Sequence, residues 1–333
     1  MKHIIFILAL LLTNITFGQT VNLTKSKIEK YVKSIDRLKS ENKLVKVSYP
    51  EMVDCGGGVD GYYLNEKLVL IDAIHWGELG FIGRTFYLDQ DNFLKIIYRE
   101  YLPEWEKYVQ KYPTDKYEYD PKKMTYTDTI YSITLTIPTI FYKKADKKII
   151  SHKSNQIMID ELIDCGRETK FYLQEIIRQV DSLKFVEQMP YICENGICGD
   201  DFYWEVVKLS HNVIELLIDK LNDTTSTVAK AALFGYNYTV ADIAFAALTE
   251  IIHDIPTFEL LGVPFDTDGC GYCSYWQHLN ENFANRQEFK FAVRKWYHKN
   301  KNNLTWVKSN IFATCDCRGK HPNDGHYKLK TDK

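Results

Sequence analysis

Asn237-Tyr-Thr-Val-Ala-Asp-Ile-Ala-Phe-Ala-Ala-Leu-Thr-Glu-Ile-Ile-His-Asp-Ile-Pro256 is the stretch around which the chain is organised. Val240, Ile243, Ala244, Ala247, Leu248, Ile251, Ile252 and Ile255 recur at helical spacing and draw one apolar stripe down an α-helix. Thr239, with Asp242 three positions on, makes an approximate capping box for the first free N–H groups. Pro256 disfavours helical geometry at Ile255 and closes the element. Ala241, Ala244, Ala246 and Ala247 let neighbouring helices come close. The stretch is therefore expected to be the central, most buried helix of an α-helical module.

Around it, the second half reads as helical. Phe202–Leu221 carries Tyr203, Val206, Val207, Val213, Ile214 and Leu217, and a polar break at Asn222–Ser226 precedes a short helix ending at Gly235. A third helix is expected from Asn285 to Lys299, with Phe289, Val293, Trp296 and Tyr297 inward and Leu304 and Trp306 returning to the core. Residues 318–333 lack a hydrophobic pattern and read as a polar tail.

The first half has a different period. Lys25–Lys39 is helix-like, alternating charged residues with Ile28, Tyr31, Val32, Ile35 and Leu38. Tyr62–Leu64, Leu68–Ile74, Arg84–Leu88, Phe93–Tyr101 and Thr127–Tyr142 are aromatic and β-branched, and Asn65-Glu66-Lys67 and Asp89–Asn92 are placed as hairpin loops. Leu102–Tyr112 and Glu168–Val186 are helical candidates. Proline and glycines make Met189–Asp200 a loop. The expected organisation is a signal peptide at 1–18, an α+β domain with an antiparallel sheet at 19–190, a linker at 191–199, an all-α domain at 200–317 and a tail at 318–333.

Trp204, then Leu217-Ile218-Asp219-Lys220-Leu221-Asn222-Asp223, Tyr238–Ala244, Asn285-Arg286 and Lys295-Trp296-Tyr297 follow an order that resembles divergent HEAT-like helical repeats. The resemblance covers residues 200–310, is at the level of pattern, and points to exported proteins of the Bacteroidetes type. It implies a helical module that binds other proteins, and it carries over no functional residue.

Met1-Lys2-His3 is a short basic region, Ile4–Leu12 an apolar core and Thr16-Phe17-Gly18 a small-residue cleavage site. Together they are expected to export the chain, secreted or periplasmic, with a mature start at Gln19. About nine apolar residues are too few to span a bilayer. No cysteine adjoins the cut and no later apolar run is long enough, so neither a lipid anchor nor stable membrane insertion is expected. With 42 Lys and Arg against 44 Asp and Glu, no basic excess points to nucleic acid. A protein or envelope component is the expected partner.

Eight cysteines in an exported chain argue for disulfides: Cys55, Cys165, Cys193, Cys198, Cys270, Cys273, Cys315 and Cys317. Cys193-x4-Cys198 brackets an Asn-Gly turn and is placed to close on itself. Cys270-x2-Cys273 and Cys315-x-Cys317 flank the third helix. They read as a linked set, by disulfide or as four thiolates on a structural zinc, with His278, His321 and His326 nearby in sequence. Cys270-Gly-Tyr-Cys273 has a superficial thioredoxin spacing without the βαβ surroundings.

Asp54–Gly58 reads as a flexible turn ahead of the first strand, since it lacks the lysine of a phosphate loop. Asp72, His75 and Glu78 lie within seven residues, and with Cys55 as nucleophile they form the one candidate catalytic set, for a hydrolase using Cys55 or a His75-bound metal. A half-buried histidine beside Trp76 is the plainer reading. His253 and Asp254 sit at the C-terminal end of the organising helix, where the helix dipole accounts for a histidine. A non-enzymatic binding protein without a required cofactor is the preferred expectation, and a secreted hydrolase the alternative.

Overall fold

The computed structural model describes residues 24–49, 57–77, 79–89, 91–112, 121–124, 126–135, 153–190, 193–194, 197–231, 236–257, 259–262, 273–313 and 321–330. In chain order the elements are α1 (Lys25–Ser40), β1 (Val45–Tyr49), β2 (Gly57–Leu64), β3 (Lys67–Trp76), β4 (Phe81–Asp89), β5 (Asn92–Pro103), α2 (Trp105–Lys111), β6 (Tyr126–Thr134) and α3 (Lys153–Asp181). There follow β7 (Cys193–Glu194), β8 (Ile197–Cys198), α4 (Asp201–Lys208), α5 (Ile214–Lys220), β9 (Ser226–Lys230), β10 (Asn237–Thr239), α6 (Val240–Ile251), α7 (Cys273–Glu281), α8 (Phe283–Asn300), β11 (Leu304–Lys308) and β12 (Gly325–Leu329). β1 pairs antiparallel with β2, the strands β3 to β6 follow one another in sequential order, and each of the two-stranded sheets β7–β8, β9–β10 and β11–β12 is antiparallel.

Two compact units emerge from the packing, and neither is one contiguous stretch. The first takes 24–41 and 67–164, the second 42–66 and 165–330. In the first, β3, β4, β5 and β6 form an antiparallel meander, and Phe86, Leu88, Leu94, Ile96 and Ile133 are fully buried. The helix α1 packs through Ile28, Val32 and Ile35, as its periodicity predicts. Polar side chains fix it to the sheet: Tyr31 donates to the Leu88 carbonyl at 2.6 Å, Tyr87 donates to Asp36 at 2.8 Å and Lys95 pairs with Glu29 at 2.9 Å.

In the second unit α6 is the centre. Every residue from Val240 to Ile251 except Thr249 is buried, as a helix apolar on nearly all sides requires. Its capping box is complete: Thr239 Oγ1 accepts the Asp242 N–H, and Asp242 Oδ2 accepts the Thr239 N–H at 2.8 Å. The same carboxylate faces Arg286 of α8 across a buried 3.0 Å ion pair, and Arg286 also donates to Asn280. Burying Ile243, Leu248 and Ile251 contributes roughly 1.5–3 kcal/mol for each side chain.

The expected α+β domain followed by an all-α HEAT-like domain is overturned. The second half is mixed, because β9 pairs with β10 and β11 pairs with β12. Where a short helix ending at Gly235 was expected, alternating burial along Ser226–Lys230 makes a strand. Residues 325–329, within the supposed polar tail, are strand β12. Phe202–Leu221 is not one helix but α4 and α5 joined through a 3-10 turn at Ser210–Val213. Gly57 and Gly58, read as part of a flexible turn, open strand β2. The signal-peptide residues 1–18 lie outside the described residues, among which no helix is long and apolar enough to cross a membrane.

Candidate metal centre

The C-cap of α6, Ile252, is extended, so the chain leaves the helix as a strand-like segment. That segment runs alongside β12: Ile252 bridges Tyr327 in parallel sense, and the His253 N–H donates to the Tyr327 carbonyl at 3.1 Å. The Leu329 N–H donates to Asp254 Oδ2 at 2.9 Å, which fixes the register. On its other edge β12 pairs with β11, from Lys308 opposite Gly325 to Leu304 opposite Leu329. Gly325 is required by close approach. A Cβ there would stand 2.3 Å from the Val307 carbonyl oxygen and 2.8 Å from the Trp306 ring. Just before it the chain turns, with the Asp324 N–H donating to the His321 carbonyl at 2.9 Å and Asn323 Nδ2 donating to the Val207 carbonyl at 2.6 Å.

These contacts carry Glu250, His253 and His321 to one point. Each presents one ligand atom, and the three atoms lie within 4.8 Å of one another. His321 Nε2 is 3.7 Å from Glu250 Oε2, and both side chains are 0% exposed. Metal–donor bonds of about 2.0–2.1 Å in a tetrahedron imply donor separations of roughly 3.3 Å, so this pair needs to contract by only a few tenths of an ångström. Phe312 lies against His321 with ring centres 5.0 Å apart, and Trp204 backs Phe312 at 5.4 Å. His326 of β12 stacks on His253, centroids 3.4 Å apart and planes 11° from parallel.

His253 Nε2, His321 Nε2 and both ring nitrogens of His326 are buried with no hydrogen-bond partner. Each such group costs on the order of 1–3 kcal/mol when left unsatisfied. Burial, reinforced by neighbouring His326, pushes the His253 imidazole down to about 4. Burial also lowers His326, with Lys328 and His321 acting in the same direction. Both rings are therefore neutral at pH 7, the form that binds metals. Glu250 Oε2 accepts the Ala313 N–H at 3.0 Å, an outer contact of the kind that orients a ligating carboxylate. His321 Nδ1 accepts the Asn323 N–H at 3.2 Å, which leaves that ring's proton on Nε2. His321 would hold an ion through Nε2 only with its ring proton on Nδ1, in place of the Asn323 hydrogen bond.

Two imidazole nitrogens and a carboxylate oxygen form a donor set for zinc and its transition-metal neighbours, not for calcium or magnesium. Sequence reading missed this set. In the sequence Glu250 is only part of a helical pattern, the helix dipole accounts for His253, and His321 stands only as a neighbour of the cysteine pairs. The one local signal was the Glu250-x2-His253 spacing at a helix end.

The residues singled out from sequence fare differently. Asp72 and His75 share β3 but stand three residues apart, so the period-two alternation of a strand sends them to opposite faces. Asp72 is ion-paired with Lys39, and His75 is paired in register with Ile82. Cys55 and Glu78 lie outside the described residues, as do Cys270, Cys315, Cys317 and the side chain of Cys273. Cys193 and Cys198 face each other in register on β7 and β8, and Cys198 is disulfide-bonded. Cys165, counted among the disulfide candidates, is a free and half-buried thiol on α3. His278 sits on α7, where its carbonyl accepts from Asn285 at 2.8 Å, apart from the three converging side chains. Comparison with protein-family models, with curated proteins and with solved structures finds no match.

Proposed function

We propose that this is an exported, non-enzymatic binding protein that holds one zinc-class divalent ion in a closed structural site made by Glu250, His253 and His321. The observation that carries the reading is the convergence of three metal-ligating atoms within 4.8 Å, with two of their imidazole nitrogens buried and unpartnered. A structural role is favoured over a catalytic one by burial. Glu250 and His321 are wholly inaccessible, whereas a catalytic metal keeps a position open to water or substrate. The ion would tie the end of α6 to the turn ahead of β12, two segments roughly seventy residues apart in the chain. Export is supported by the basic, apolar and small-residue order of residues 1–18. A protein partner is supported by Phe283 and Phe291, two turns apart on α8 and 50% and 71% exposed.

Elemental analysis of the purified protein, followed by zinc titration after chelation, tests the metal reading. One equivalent of zinc is expected in the wild type and a loss of that equivalent in His321→Ala. Full zinc retention by a folded His321→Ala variant would refute the site.

A further inference from the structure

We infer that His326 is the fourth ligand of this centre, reaching the ion by swinging out of its stack on His253. The inference rests on the metal reading proposed above and adds what that reading leaves incomplete. A closed structural zinc site is four-coordinate, and Glu250, His253 and His321 supply three donors. The fourth has to be a buried group with a lone pair to give, standing next to one of these three.

His326 meets each requirement. It is 2% exposed, so water does not satisfy it from bulk, and neither ring nitrogen has a hydrogen-bond partner. A fully buried imidazole with both nitrogens orphaned is costly, and ligation relieves the cost. Its ring already touches that of a proposed ligand, at a 3.4 Å centroid separation. Its backbone is held in place on both sides. Val307 pairs with it in register on β11, and the next residue, Tyr327, bridges Ile252 and accepts the His253 N–H. Side-chain rotation is the motion left to it. Parallel stacked rings cannot both aim an in-plane lone pair at one ion, so binding requires His326 to tilt away from His253. The other neighbouring carboxylate, Asp254, is engaged by the Leu329 N–H at 2.9 Å and serves the register of β12 instead.

Cobalt(II) in place of zinc reports coordination number through its visible absorption, intense for a tetrahedral ion and weak once water raises the count. Cobalt titration of the chelated full-length wild type and of His326→Ala is the test, with the circular dichroism of both metal-free proteins compared first. The wild type is expected to give the intense tetrahedral bands. His326→Ala is expected to bind at least about 100-fold more weakly and lose them, a larger effect than the roughly 10–100-fold typical of an outer-shell partner. Equal affinity and an unchanged spectrum in His326→Ala would overturn the inference while leaving the three-residue site standing. No binding by the wild type would overturn both. Should His326→Ala not fold, histidine side-chain nitrogen shifts in the wild type decide. A His326 nitrogen shifting with those of His253 and His321 during zinc titration supports ligation, and unmoved His326 nitrogens contradict it.

Discussion

Asp242 shows how one side chain serves two structures at once. It closes the capping box of α6 and neutralises Arg286, both nearly inaccessible to water at 1% and 3% side-chain exposure. Removing one partner of a buried pair strands the other, at a cost of about 3–5 kcal/mol, whereas loss of a cap alone costs about 1 kcal/mol. Asp242→Ala should therefore destabilise by several kcal/mol and Thr239→Ala by only about 1 in urea unfolding. Similar midpoints for the two would mean the Arg286 pair contributes nothing. Asp219 is a half-exposed counterpart. Burial raises its carboxyl, but Lys290 at 2.7 Å and Arg294 at 3.0 Å outweigh that and hold it below the ordinary 3.8. Its folded value lies under its unfolded one, so its stabilisation is present at neutral pH and disappears as pH falls through the folded value. Solvent screening keeps this to on the order of 1 kcal/mol. The stability gap between wild type and Asp219→Asn should be full at pH 6–7 and close below 3.8; a gap of constant size across that range would count against the assignment.

At the scale of elements, α6 was legible because its information is local, a dense apolar stripe and a capping pair; its end was not, since the chain leaves the helix at Ile252, four residues before the proline expected to close it. Its buried face makes a direct comparison possible. Ala247 is 0% exposed while Thr249 is half-exposed, its hydroxyl donating to the Ala246 carbonyl. Ala247→Glu buries a carboxylate in a close contact and should cost on the order of 3 kcal/mol or more, while Thr249→Glu should be nearly neutral. Equal melting temperatures would show the stripe to be drawn wrongly. The strands β9, β10 and β12 were not legible for the opposite reason. They have five, three and five residues, and His326 and Lys328 give β12 a polar look that only its pairing with β11 explains. The candidate site shared that obscurity. Glu250 and His253 carry a local spacing, but nothing near them announces that His321 returns to the same place after two intervening helices.

For the whole molecule, the proposed ion would make metal binding part of stability. An ion bound only by the folded state at a hundred times its dissociation constant adds about 2.7 kcal/mol. Zinc should accordingly raise the melting temperature of the chelated wild type and leave that of Glu250→Gln far less changed. An equal rise in both would assign the stabilisation to another site. Cysteines are the obvious competitor, because Cys315 and Cys317 precede His321 by only a few residues in the sequence, and cysteine thiolates in general bind the same ion well. A crystal of the zinc-loaded protein, measured on both sides of the zinc absorption edge, separates the two. One anomalous peak is expected at about 2.0–2.2 Å from Glu250, His253 and His321. A zinc peak bound wholly by cysteine sulfurs, with none among those three side chains, would contradict it.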